Sequence, residues 1–383
     1  MNLRQSSALK LVIILGIVSF FSDITVEGAK SVSGAFLGLL GANATLVGIV
    51  SGFGEFVGYA LRLFSGYFVD KTGRYWLCTF FGYGCNLIGI PLLALAGNWK
   101  LAAFLLILER IGKAVRTPAR DAMLSHATHS MGRGFGFGLH QTFDQLGAMI
   151  GPIIVTIVLF FKGSYQNGFA ILFIPALISV IALVLASRAY PEPQQLELSV
   201  PEETRANVKF WVYLLASASL AAGYADFPLI AYHLQKNSIV SSAFIPLSYA
   251  VGLGVSSISV LLLGKLYDHY GYVILIISTF IAAFFAPLIF LGGPVLVFLG
   301  MILWGIGTGA QSSLLKAIIG DIIPKEKRGR AYGIYNTAFG FAWFVGSAFM
   351  GFLYDISLPW MIVFCMFLQV LSLPIFFIAK RKN

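Results

Sequence analysis

The chain has 383 residues, of which 58% are hydrophobic and only 11% charged. Soluble domains carry about a quarter of charged residues, so a water-soluble globular protein is excluded and a protein embedded in a lipid bilayer is expected. The formal charge of +10 would suggest nucleic acid in a soluble chain, but here the charges follow membrane topology, and no nucleic-acid partner is expected.

Along the chain, apolar runs predict spanning helices near 11–38, 46–69, 76–97, 101–122, 136–161, 168–189, 209–235, 243–267, 273–291, 294–320, 331–353 and 359–379. At about 20 residues each, twelve spans take roughly 240 residues and leave room only for loops and tails. An even number of spans puts both tails on one side. That side collects sixteen basic residues, from Arg4, Lys10, Lys71 and Arg74 to Lys380, Arg381 and Lys382, against Lys100, Lys162 and Lys236 opposite. The excess predicts both termini in the cytoplasm of a multi-pass protein, in the inner (plasma) membrane of a bacterium. The first apolar run lacks a small-residue cleavage site and contains acids, so it reads as a retained helix. Cys78, Cys85 and Cys365 lie inside apolar runs and read as packing residues. Asn43-Ala44-Thr45 is expected to be a plain loop.

The polar stretch at 188–209 reads as a cytoplasmic linker between halves 1–187 and 210–383. The halves echo each other. Gly66, Asp70 and Gly73 lie between spans two and three, and Gly264, Asp268 and Gly271 stand 198 residues later, between spans eight and nine. Likewise RGFGFG at Arg133, Gly134 and Gly138 matches RGRAYG at Arg328, Gly329 and Gly333, 195 residues on. Two matches at nearly one offset indicate a duplication. The fold class expected is an all-α membrane protein, twelve transmembrane helices in two six-helix pseudo-symmetric halves.

The string Gly66-x-x-x-Asp70-x-x-Gly73-Arg74, its echo and the six-plus-six layout resemble the major facilitator superfamily of secondary transporters, over the whole chain. The resemblance implies that Gly66, Asp70, Gly73, Arg74, Gly264, Asp268 and Gly271 form a conformational latch on the cytoplasmic side, with each Asp capping a neighbouring helix N-terminus. Gly147-x-x-x-Gly151-Pro152 in the fifth span resembles the opening of that superfamily's antiporter motif, where small residues let helices approach and proline bends the span. It implies export, although Val155 and Thr156 stand where a further glycine pair belongs. The fourth span departs from the family pattern, ending in ERIGKAVRTPARD instead of carrying an early arginine.

Ionisable residues inside a bilayer are costly and mark function, and here the first half holds most of them. Asp23, Glu27 and Lys30 share one face of the first span, and Glu55 and Arg62 one face of the second. Arg110, Lys113, Arg116 and Arg120 form a basic stripe on the fourth, with Glu109 beside it; His140 and Asp144 share a face with Gly147 and Gly151 on the fifth. The second half offers Asp226, His233 and Lys316. Counting 1.5 Å per residue from assumed span ends sets Asp23 and Arg110 level, about 16–18 Å from the cytoplasm. In the resembled family the first, fourth, seventh and tenth helices line the central cavity, which implies that Asp23 and Arg110 face one aqueous path, as a structural ion pair or as the coupling site. Arg116 and Arg120 are expected nearer the membrane edge, snorkelling or serving the latch. Arg110 and Lys113 suit an anionic group, and a solute competing for Arg110 would free Asp23 to take up a proton. His140 beside Asp144 reads equally as a proton relay or a packing pair.

A secondary transporter of a small organic solute, proton-coupled and directed outward, is therefore expected. The basic stripe suggests an anion or zwitterion, whereas the 34 Phe and 16 Tyr would suit an amphipathic drug-like or lipid-like cargo; a proton symporter importing an organic anion is a further alternative. An integral membrane enzyme is disfavoured by the absence of a phosphate loop, a nucleophile elbow or Cys/His metal spacing. No cofactor and no metal are expected, the partners being the solute, protons and the lipid bilayer, and the chain is expected to act as a monomer.

Overall fold

The structure is a computed structural model and describes residues 3–128, 133–161, 163–191, 208–322 and 328–381. Within them the protein is helical: α1 (Leu3–Leu39), α2 (Ala44–Thr72), α3 (Tyr75–Leu92), α4 (Trp99–Thr128), α5 (Arg133–Phe160), α6 (Tyr165–Ile171), α7 (Phe173–Ala189), α8 (Val208–Ala222), α9 (Phe227–Lys236), α10 (Phe244–Tyr270), α11 (Tyr272–Ala282), α12 (Phe285–Leu291), α13 (Pro294–Ile322), α14 (Arg328–Ile356) and α15 (Leu358–Arg381). Three pairs, α6 with α7, α8 with α9 and α11 with α12, each continue one apolar span, so fifteen helices make the expected twelve crossings. Eleven spans meet the length and apolarity of a bilayer crossing on their own. The twelfth is α4, a 30-residue helix whose apolar run is interrupted by the basic stripe. Exposed side chains such as Phe64, Phe161, Leu261 and Val295 present the apolar surface that lipid covers.

Most of the 188–209 linker lies outside the described residues, as do the side chains of Asp70, Arg133, Lys316 and Arg328. The chain forms two compact units, one of Met1–Val32 and Val57–Ser199, the other of Ser33–Phe56 and Val200–Asn383. The turns that the two repeated loop strings require are present. Gly73 has φ +62° and Gly271 φ +61°, a conformation that costs glycine nothing and other residues a clash with their own Cβ. Arg74 precedes α3 and Gly271 precedes α11, and Asp268 is exposed near the end of α10. The three cysteines are free thiols, Cys78 and Cys365 buried and Cys85 half-buried.

Asn43 is not a plain loop residue. Its side-chain oxygen accepts from Leu46 N at 2.9 Å and so caps α2. The same helix start is held within the second unit by Asp355 at the end of α14, whose carboxylate accepts from Ala44 N at 3.2 Å, Thr45 N at 2.8 Å and the Thr45 hydroxyl at 2.7 Å. Glycines allow this approach: a Cβ on Gly48 would strike the Ser347 carbonyl, and one on Gly351 the Ala44 carbonyl. Asp355→Ala is expected to cost about 1 kcal/mol, the worth of a charged helix cap. The check is thermal unfolding of the purified protein, with Asn43→Ala giving a separate, additive loss.

Candidate functional site

The site begins with two glycines in the first unit. On α3, a Cβ at Gly82 would lie 2.6 Å from Arg116 N, and on α4 a Cβ at Gly112 would lie 2.5 Å from Asn86 N. Only with hydrogen at both positions do the two backbones touch, and that contact brings the polar residues of α3 against the charged face of α4. Asn86 then donates to a Glu109 carboxylate oxygen at 2.8 Å and accepts from Ser22 at 3.4 Å. Tyr83 comes to lie under Arg116, whose guanidinium carbon is 4.3 Å from the ring centroid.

α5 closes on α1 in the same way. A Cβ on Gly147 would strike the Phe20 carbonyl and one on Gly151 the Ile24 carbonyl. This seam carries His140 and Asp144 to α1. The Ser19 hydroxyl lies 3.0 Å from His140 Nε2 and 3.3 Å from the Tyr83 hydroxyl, and it accepts from Arg120 at 3.1 Å. Asp144 lies 3.5 Å from His140 Nδ1 and 3.7 Å from Arg120.

Between α1 and α4 the contacts form a ladder. Glu27 meets Lys113 at 3.5 Å, Asp23 meets Arg116 at 3.7 Å, and Ser19 meets Arg120 at 3.1 Å. As the α1 number falls the α4 number rises, the register of two antiparallel helices facing each other over two turns. Arg110 lies one turn further along α4, where it pairs with Glu109 at 3.2 Å. Depth counting set Asp23 level with Arg110; the partner in the structure is Arg116, because α1 and α4 both extend beyond the apolar runs from which the count started. Arg116 does not snorkel either. It is 1% exposed, and Tyr83 and Asp23 hold it inside the unit.

Arg116 is the least satisfied member of this network. Its Nε and Nη1 are buried without hydrogen-bond partners, and its contact to Asp23 is longer than a hydrogen bond. Arg120, by contrast, spends its donors on Asp121 at 3.0 and 3.1 Å and on Ser19. A buried cation with idle donors beside a single carboxylate can exchange partners at little geometric cost. Among the described residues no group of His, Cys, Asp and Glu has the arrangement of a metal site.

Asp226 belongs to the second unit. The seventh span breaks between Ala222 and Phe227, and Asp226 caps the new start at α9 by accepting from Phe227 N at 2.9 Å. Sequence reasoning singled out Asp23, Glu27, Arg110, Lys113, His140 and Asp144, and the structure brings Asp23, Glu27 and Lys113 into the ladder, His140 and Asp144 onto its Ser19 rung, and Arg110 to its end. It missed Ser19, Ser22, Tyr83 and Asn86. The signal that marks them is the pair Gly82 and Gly112, small residues facing a charged stripe.

The model of the Major Facilitator Superfamily matches residues 13–346 and 227–383. An uncharacterized protein of Mycobacterium tuberculosis (strain ATCC 25618 / H37Rv) is 34% identical over 383 residues, 98% of this chain and 94% of the relative. An uncharacterized MFS-type transporter of Methanocaldococcus jannaschii is 26% identical, covering 91% of this chain and 89% of its own. Among solved structures, the nucleoside transporter NupG superposes with a TM-score of 0.75 at 14% identity, over 97% of this chain and 98% of that one; the likeness is one of fold. With the duplicated loop strings, the twelve crossings and a family model that spans both halves, the chain belongs to the Major Facilitator Superfamily of secondary transporters.

Proposed function

We propose that this transporter moves a small organic zwitterion outward in exchange for protons, and that the α1/α4 ladder is where solute and proton compete. One observation carries the reading. Asp23 and Arg116 place one charge of each sign at a single level inside the first unit, in long contact, with two idle donors on the cation. A solute ammonium takes the place of a proton on Asp23 while its carboxylate takes the free donors of Arg116, a planar fork suited to a carboxylate. Binding of solute and binding of proton then oppose each other, and linkage makes the opposition reciprocal. Lys113 with Glu27, and Arg110 with Glu109, neutralise the neighbouring levels, while His140 and Asp144 reach the ladder through Ser19. The Gly147-x-x-x-Gly151-Pro152 seam supports the outward direction by its likeness to the antiporter motif. The Gly66–Arg74 and Gly264–Gly271 turns supply the latch between states, and both termini are assigned to the cytoplasm from the basic residues.

The test uses reconstituted liposomes and a solute chosen by a thermal-stabilisation screen of purified protein. Under an imposed pH gradient the wild type is expected to concentrate the solute, and Asp23→Asn to lose accumulation while retaining passive exchange. Accumulation by Asp23→Asn at the wild-type level would overturn the assignment.

A further inference from the structure

At the end of the second unit opposite the C-terminus, α14 finishes in two neighbours that serve different helices. Asp355 holds the start of α2, accepting from Ala44 N and Thr45 N. Tyr354 is tied to α9: its hydroxyl lies 2.9 Å from His233 Nδ1 and accepts from the Asn237 amide at 3.0 Å. The same amide donates to the His233 carbonyl at 3.0 Å and stands 3.1 Å from Nδ1. Phe290 of α12 covers the imidazole with ring centroids 4.9 Å apart, and His233 is 2% exposed. Its Nε2 is buried without a hydrogen-bond partner among the described residues.

This arrangement fits one charge state of the ring. Asn237 donates to the Tyr354 hydroxyl, and the hydroxyl proton has Nδ1 as its acceptor, so the imidazole is neutral with its own hydrogen on Nε2. A second proton, on Nδ1, would face two groups that are already donating. The charges around it offer no compensation. Lys236 lies 5.4 Å from the Tyr354 ring and 5.3 Å from the Tyr232 ring and repels a cation; neither Asp nor Glu occurs in 33–54, 227–267, 272–320 or 329–354. Asp226 stands two turns away at the start of α9, and Glu55 about three turns along α2 from Thr45. The carboxylate at this end is Asp355, and α2 occupies it.

We infer that His233, Asn237 and Tyr354 form an acid-released bolt: a proton on His233 unseats the end of α14, and Asp355 then lets go of the start of α2. The seam behind the bolt is a close but unbonded one. A Cβ on Gly48 would strike the Ser347 carbonyl, and one on Gly52 would lie 2.9 Å from the Ser347 side chain, while the Ser347 hydroxyl is buried without a partner. Water would satisfy that hydroxyl once the seam parted. Acid favours the parted form by linkage, because the proton binds best where the ring is free to be hydrated. The bolt acts in the second unit and is independent of where solute and proton meet in the first.

The test is hydrogen exchange read by mass spectrometry on the purified full-length protein at pH 7 and pH 4.5, with rates corrected for the intrinsic effect of pH. The reporters are the amides of Ala44, Thr45 and Leu46, which Asp355 and Asn43 hold. Their protection in the wild type is expected to fall at least about tenfold at the lower pH, as it does when two forms differ tenfold in proton affinity. His233→Gln, neutral at both values, is expected to keep its protection, with His233→Asn as the substitute if that variant does not fold. Tyr354→Phe breaks the tie from the other side and is expected to show low protection at both. The amides of 301–310 on α13 are the control and are expected to stay protected throughout. Unchanged wild-type protection at 44–46, an equal loss in His233→Gln, which would place the titration on Asp355 itself, or a matching loss at 301–310, which would mean general unfolding, would each overturn the inference.

Discussion

Arg116→Met is expected to destabilise the protein by about 3 kcal/mol, because it strands the Asp23 carboxylate in a buried position without its cation. Asp23→Asn alone is expected to cost a similar amount, since it leaves a guanidinium that is 1% exposed and already holds two unpartnered nitrogens. The double variant, with neither charge present, should recover more than half of the summed loss. Methionine fills much of the arginine volume and still packs on the Tyr83 ring, so the cycle reads the charge pair more than a cavity. Denaturation of the purified variants supplies the four values. Additive losses would show that the two residues do not act as a pair, and would remove the central rung of the ladder.

Gly151→Leu is expected to cost about 3 kcal/mol, because even the first carbon of a side chain would strike the Ile24 carbonyl and lie 2.8 Å from Gly28 N. Backbone on both sides leaves nothing to rotate away. α5 would have to move off α1, and His140 would lose its 3.0 Å contact with Ser19. Gly138 on the same helix is the control. A Cβ there meets nothing within 4 Å, so Gly138→Leu should be neutral or slightly stabilising through helix propensity. Thermal melts of both variants decide it, and equal losses would mean that the α1–α5 seam is not a close approach.

The twelve crossings were legible because long apolar runs in a bilayer have one outcome, and the loop strings were legible because Gly73 and Gly271 answer a backbone demand that other residues meet poorly. The breaks at Leu172, at Gly223–Asp226 and at Ala283–Phe284 were not. Apolarity runs through them unchanged, and only the cap by Asp226 marks one in retrospect. The ladder was half legible. Charge and helical spacing picked out Asp23, Glu27, Lys113 and the arginines, but which acid meets which base depends on where each helix starts, and an error of two turns moves the partner from Arg116 to Arg110. Ser19, Tyr83 and Asn86 escaped because a neutral polar residue in an apolar helix looks like packing until a neighbouring helix places a charge beside it.

If solute and proton compete at Asp23, as proposed, proton release on solute binding measures that competition without a membrane gradient. Titration calorimetry in buffers of different ionisation heat, repeated across pH, counts the protons exchanged per solute bound. Wild-type protein is expected to release protons, increasingly as the pH falls and Asp23 is occupied, towards about one per solute bound. Asp23→Asn, which keeps Arg116 for the solute carboxylate but loses the partner of its ammonium, is expected to bind the solute more weakly and without that release. Binding with no proton exchange in the wild type, or release that persists undiminished in Asp23→Asn, would rule out competition at Asp23.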